Sequence, residues 1–219
     1  MEKTLQTIFD SKIIVIIRGI APESIIDTVC AMKDGGVKCV EVTFNHKSTD
    51  DFRDTLKSIR MIRDHFGDEI AVGAGTVLTI KNVEDAIEAG AAFMISPNTN
   101  LDVIRRTKEL GAVSIPGAMT PSEAVSAFEN GADIIKLFPA GELGAGYIKA
   151  LCAPLNHIPF MADGGITAEN AADFIRAGAV GVGVGTGIAN KELIEAGDFE
   201  AIRRFARKYS CKVNSMPIQ

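Results

Sequence analysis

The chain has no tryptophan, two tyrosines and three histidines. Its four cysteines, Cys30, Cys39, Cys152 and Cys211, form no CxxC pair. That scatter carries no disulfide-framework or paired-thiolate zinc signature, and fits reduced thiols in a cytoplasmic protein. His46, His65 and His157 lack the spacing of metal ligands, so no metal is expected. Excess positive charge is also missing. The net charge is −5 and the isoelectric point about 5.3, which leaves no basic footprint for nucleic acid or an anionic membrane. The longest apolar run, "IIVII" at 13–17, is too short to cross a bilayer, and "MEKTLQTIFDSK" lacks the basic-then-apolar form of a signal peptide. What is present, 219 residues at 47% hydrophobic, suits one domain over residues 1–219 with a full core.

A short phrase recurs: "DGGVKCVEV", "EAGAAFMIS", "ELGAVSIPG", "ENGADIIKL", "RAGAVGVGV". Each has a polar helix tail, a glycine (Gly36, Gly90, Gly111, Gly131, Gly178), then an apolar strand. Glycine just past a helix end is the usual left-handed cap. Two wide gaps each hide one more strand, "EIAVGAG" and "IPFMADGG", and "KIIVIIRG" opens the series. Between strands lie stretches with apolar spacing near 3.6, such as "PESIIDTVCAMKD" and "NVEDAIEA". Eight alternating strand–helix units predict a compact (β/α)8 barrel, with an open doubly wound sheet as the alternative. "GAGTVL" lacks the spacing of a dinucleotide fingerprint, so no nucleotide cofactor is expected.

Alternation along the strands sorts side chains into inside and outside. Glu41 falls with Cys39 and Thr43, opposite Val40 and Val42; Lys136 falls with Ile134 and Phe138, opposite Ile135 and Leu137. Both are read as inward. Arg18 shares a side with Ile14 and Ile16, and Thr76 and Asp163 end the third and seventh strands. The C-terminal strand ends carry the active site of such a barrel. Of three lysines set among apolar residues, Lys38 starts its strand and Lys149 lies on a helix, where its head can reach water. Lys136 alone is in mid-strand. A buried amine loses its proton more readily and can attack a ketone to form an imine, with a nearby carboxylate moving the protons. Lys136 and Glu41 are therefore read as the catalytic pair of a metal-independent aldolase, with Phe138 as an apolar wall. A structural ion pair between them stays open, as does rim charge for Arg18. His46 is assigned to a solvated loop.

"DGGIT" follows the seventh strand and "GVGTGI" the eighth, where it is expected to open a short helix. Such loops bind phosphate through backbone N–H groups. Gly164, Gly165, Gly185 and Thr186 are the candidates. The competing reading has Gly181, Gly183 and Gly185 serving close strand–helix packing.

"EVT" at 41–43, "VGAGTVL" at 72–78, "ISP" at 95–97, "IPG" at 115–117, "IKLFPA" at 135–140 and "GGI" at 164–166 together resemble the 2-keto-3-deoxy-6-phosphogluconate and 4-hydroxy-2-oxoglutarate aldolases. The resemblance implies a Schiff base on Lys136, acid–base work by Glu41, and pyruvate contacts at Thr76, Pro97 and Phe138. It further implies phosphate contacts at Gly165, Gly185 and Thr186, a phosphorylated 2-keto acid as substrate, and a homotrimer. Asn45 stands where phosphogluconate-type members commonly have arginine, and together with Arg18 and "GAGYIKAL" it resembles the 6-phosphogalactonate subgroup. Thr186 replaces a serine and keeps its hydroxyl. Asp163 replaces a non-acidic residue, and beside a phosphate its charge would be repulsive.

The expected activity is cleavage of such a six-carbon sugar acid, of gluconate or galactonate type, to pyruvate and glyceraldehyde 3-phosphate. The alternatives are cleavage of 4-hydroxy-2-oxoglutarate to pyruvate and glyoxylate, a sugar-phosphate epimerase or isomerase, and a phosphate-sugar sensor. Arg18 is expected to anchor the substrate carboxylate through its two-pronged guanidinium.

Overall fold

The computed structural model describes residues 1–49 and 52–215. Nine parallel strands form one sheet: β1 (Ile13–Ile17), β2 (Cys39–Thr43), β3 (Ala71–Gly75), β4 (Phe93–Ile95), β5 (Val113–Ile115), β6 (Gly117–Ala118), β7 (Ile135–Leu137), β8 (Phe160–Asp163) and β9 (Gly181–Val184). Their order is β5-β4-β3-β2-β1-β9-β8-β7-β6. The two ends of that row, β5 and β6, are halves of the single fifth strand expected from the sequence. Pro116 separates them because it has no N–H to donate. Its carbonyl still accepts from the Lys136 amide at 2.9 Å, and the Ser114 carbonyl accepts from the Asp133 amide at 2.9 Å. The row thus closes on itself as a (β/α)8 barrel with a kinked fifth strand. All five predicted cap glycines have positive φ, from 76° at Gly111 to 111° at Gly178.

Two cores follow from the alternation. The outer one, between sheet and helices, takes Val40, Val42, Val72, Ile135, Leu137, Val182 and Val184. The inner one contains Ile14, Cys39, Phe93, Ile95, Val113, Ile115, Ile134 and Met161. Ile8, on the amphipathic helix α1 (Glu2–Ser11), joins the inner cluster and stoppers the N-terminal end of the barrel. That leaves the C-terminal end as the mouth. No helix among the described residues is long and apolar enough to cross a membrane.

Space inside the barrel is divided unevenly. β3 turns Ala71, Gly73 and Gly75 inward, and β9 turns Gly181 and Gly183 inward. A Cβ on Gly73 would strike the Phe93 ring, and one on Gly75 would fall on Glu41 Oε1. On Gly181 it would come 3.1 Å from Met161 Cε, and on Gly183 2.8 Å from Asp163 Cγ. Gly181 and Gly183 therefore serve close packing, as the competing reading held, but against inward side chains rather than helices.

Gly73→Ala should destabilise the fold by about 1–3 kcal/mol through overpacking on Phe93. At this chain length that lowers Tm by roughly 2–4 °C per kcal/mol. Gly146→Ala, in helix Ala145–Cys152 with open space around its Cα, is the control and should be neutral or stabilising. Equal melting temperatures for both variants would contradict the packing account.

Candidate active site

Lys136 is placed in mid-strand by β7, with its backbone paired to Gly117 on one side and Met161 on the other. Its side chain points inward and is 8% exposed. The ammonium sits 2.7 Å from Asp163 Oδ2 and 5.1 Å from the centre of the Phe138 ring. Glu41, inward from β2, is 2% exposed, and its Oε2 has no hydrogen-bond partner. Burial pushes the Glu41 carboxyl up to about 7, against an opposing pull from the Lys136 charge; Asp163 adds to the rise and Arg18 opposes it.

The lysine's ion pair corrects two sequence-based expectations. The partner among the described residues is Asp163, not Glu41. Asp163 does not stand free beside the glycine loop as an uncompensated charge. Along β8, Met161 and Asp163 face inward while Phe160 and Ala162 pack outward. The alternation of "FMAD" carries that signal, but nothing in it says which inward cation the carboxylate meets.

The remaining candidates ring the mouth. Arg18 lies one residue past the end of β1 and is exposed, so it is a rim residue rather than part of the strand wall. Its charge is still felt at Glu41. Thr76 follows β3 with φ of 57°, a left-handed conformation that a β-branched residue adopts only when its surroundings impose it. The Thr76 carbonyl accepts a hydrogen bond from His46 Nε2 at 2.8 Å, which fixes the proton on that nitrogen. The His46 ring also meets Phe52 edge-on. His46 is exposed, as expected for a loop, yet it braces a residue of the mouth. Asn45 is exposed and its Oδ1 accepts from the Lys47 amide, 3.2 Å away. The Thr43 hydroxyl, on the same face as Glu41 as the alternation along β2 predicts, is buried without a hydrogen-bond partner among the described residues.

Pro97 is exposed at the end of β4, where only a glycine at 117 can approach its carbonyl. Phe138 is 38% exposed, with Gly164 beneath its ring. Gly164 and Gly165 both have left-handed φ, 84° and 74°. Their loop is tied down by the Gly141 amide donating to the Gly164 carbonyl at 2.7 Å. Gly185 and Thr186 lie in a turn closed by the Ile188 and Ala189 amides donating to the Gly185 carbonyl. The expected helix does not start there; it runs from Lys191 to Glu195 behind an Asn190 cap. The turn has its own backbone hydrogen bonds, which make a helix start at Gly185 unnecessary. The Cys39 thiol, deep in the inner core, is pushed up to about 12 by burial and is inert.

Residues 5–205 match the family model described as KDPG and KHG aldolase. The 2-dehydro-3-deoxy-6-phosphogalactonate aldolase of Escherichia coli K12 is 36% identical over 93% of this chain and 93% of its own. A solved structure described as native KDPGal is 34% identical with a TM-score of 0.83, covering 93% and 94% of the two chains. The KDPG aldolase of Legionella pneumophila, with pyruvate captured as a covalent carbinolamine, is 25% identical with a TM-score of 0.84, covering 93% and 96%.

The raised Glu41 carboxyl has a consequence for stability. Between its ordinary value of 4.5 and about 7, the folded chain holds a proton that the unfolded chain has released. Raising pH through that window therefore costs stability, and the loss is complete above it. Relative to wild type, Glu41→Gln should gain from pH 4.5 to 7 and then level off, by on the order of 1–3 kcal/mol. Urea unfolding at pH 5 and pH 8 measures this. A wild-type-to-variant difference that does not change with pH would mean that Glu41 is not held protonated.

Proposed function

The chain belongs to the KDPG and KHG aldolase family of class I aldolases, which are carbon–carbon lyases, and from that premise we propose its substrate and the part each residue plays. The substrate is a 2-keto-3-deoxy-6-phospho sugar acid, of galactonate or gluconate type. The products are pyruvate and glyceraldehyde 3-phosphate. The observation that carries this reading is the buried Lys136 on a strand wall, inside the barrel mouth, paired to Asp163 and felt electrostatically by Glu41.

Lys136 attacks the keto carbon, and loss of water leaves a protonated imine. That imine accepts the electron pair of the C3–C4 bond. As the bond breaks, the C4 hydroxyl proton passes to the Glu41 carboxylate and the aldehyde departs. The resulting enamine takes a proton at C3, and hydrolysis releases pyruvate and the free lysine. A carboxyl near 7 gives and takes a proton with equal ease at neutral pH, which suits Glu41 to both directions. Phe138 forms the apolar wall, and Thr76 and Pro97 border the pyruvyl end. Arg18 receives the carboxylate. Gly164, Gly165, Gly185 and Thr186 hold the phosphate. Because Lys136 engages Asp163, that carboxylate gives little ground for expecting repulsion of a phosphate, which favours the phosphorylated substrate over 4-hydroxy-2-oxoglutarate. A homotrimer in the cytoplasm completes the reading.

Pyruvate with borohydride should leave a stable adduct on the peptide carrying Lys136, and Lys136→Ala should be inactive. An unmodified peptide together with full activity of the alanine variant would sink the Schiff-base role. Glu41→Gln should keep the adduct while turnover falls by roughly 10²–10⁴. Both phosphorylated epimers and 4-hydroxy-2-oxoglutarate should be assayed for pyruvate release.

Arg18→Lys should be clearly impaired, because a point charge does not reproduce the guanidinium fork. Arg18→Ala should lose about 2–5 kcal/mol of transition-state binding for every 2-keto acid, phosphorylated or not. If kcat/KM falls for phosphorylated substrates alone, Arg18 faces the other end of the pocket.

A further inference from the structure

Asp163 has no part in the scheme above, yet it touches the reacting nitrogen. We propose that Asp163 is a second catalytic carboxylate, which carries the protons of imine formation at Lys136 and leaves Glu41 to the carbon–carbon bond. This rests on the Schiff-base reading and deepens it.

The placement is built rather than incidental. Lys136 pairs with Met161 across the β7–β8 ladder, so Asp163 stands two residues nearer the mouth on the neighbouring strand. Its carboxylate reaches the ammonium at 2.7 Å, and both side chains are less than a tenth exposed. Gly183, its ladder partner on β9, leaves the space its carboxyl group occupies. Glu41 occupies the space left by Gly75 instead, and its Oε2 touches no donor. A buried ion pair is a weak source of stability compared with apolar residues of the same size, so stability alone does not account for the pair.

The proton count gives Asp163 its task. An ammonium carries three protons and the protonated imine one, while the ketone oxygen leaves as water with two. Asp163 first takes a proton from Lys136, freeing the nitrogen lone pair to attack the keto carbon. It gives that proton to the new alkoxide, producing a hydroxyl. The nitrogen, now bearing two protons and a positive charge, passes one to Asp163. Asp163 then delivers it to the hydroxyl, which departs as water while the nitrogen lone pair closes the imine. Both protons travel from nitrogen to oxygen through one carboxylate, which ends in its starting state. Hydrolysis runs the same path backwards.

Two rates measured on Asp163→Asn at pH 7 separate this role from mere placement of the lysine. Cyanate is small and consumes only the neutral amine, with no dehydration to catalyse. Asp163→Asn removes the charged partner that holds the ammonium at 2.7 Å, so carbamylation of Lys136 should be several-fold faster in that variant. Trapping of the pyruvate imine with cyanoborohydride should instead slow by roughly a hundredfold or more. Opposite signs support the proposal. Trapping at the wild-type rate overturns it, and a parallel fall of both rates also overturns it by reducing Asp163 to a positioning residue. If Asp163→Asn does not fold, Gly183→Ala displaces the carboxylate without removing it and should give the same slow trapping. Wild-type protein that forms no adduct at all would overturn the parent reading and this proposal together.

Discussion

Inside the barrel the side chains of neighbouring strands compete for one narrow space, and β3 and β9 yield it by presenting glycine. Gly73 admits the Phe93 ring, Gly75 admits Glu41, Gly181 admits Met161 and Gly183 admits Asp163. A protein interior is packed as tightly as an organic crystal, so each large inward group requires a matching absence beside it. The two apolar occupants lie in the inner core, and the two carboxylates lie toward the mouth. The same steric rule that fills the lower barrel thus aims both acidic groups at the centre of the upper end. Lys136 enters the same upper end from β7 and meets Asp163.

Burial then divides the three ionisable groups. Lys136 and Asp163 are in contact and share a hydrogen-bonded ion pair. Glu41 makes no such contact among the described residues, and burial favours its protonated form against the pull of the Lys136 charge. Two carboxylates of similar chemistry therefore differ in contact: Asp163 is engaged by the ammonium, and Glu41 Oε2 has no hydrogen-bond partner among the described residues.

The rim is built differently from the wall. Thr76 holds a left-handed backbone under a hydrogen bond from His46, and Gly164 and Gly165 bend back over the Phe138–Gly141 segment. These loops contribute backbone groups and the Arg18 charge, whereas the strands contribute the reacting side chains. Rigid strands set distances to the amine, and the loops can vary around them.

The strand–helix rhythm, its cap glycines and the inward parity of Glu41 and Lys136 were legible in the order of residues. They follow from local rules: a helix end favours a left-handed glycine, and successive side chains of a strand face opposite ways. Parity reports a direction but not a neighbour. That Lys136 meets Asp163 and not Glu41 depends on the register of β7 against β8 and on the space at Gly183. Both are set by residues far apart in the chain. The break at Pro116 could be suspected from its missing N–H, but only closure of the sheet shows that its carbonyl still joins the ladder to Lys136. Glycines at 181 and 183 read locally as sites of close strand–helix packing. The tertiary structure decided that they are vacancies for Met161 and Asp163, because the demand for space comes from a neighbouring strand and leaves no mark on the glycine's own sequence.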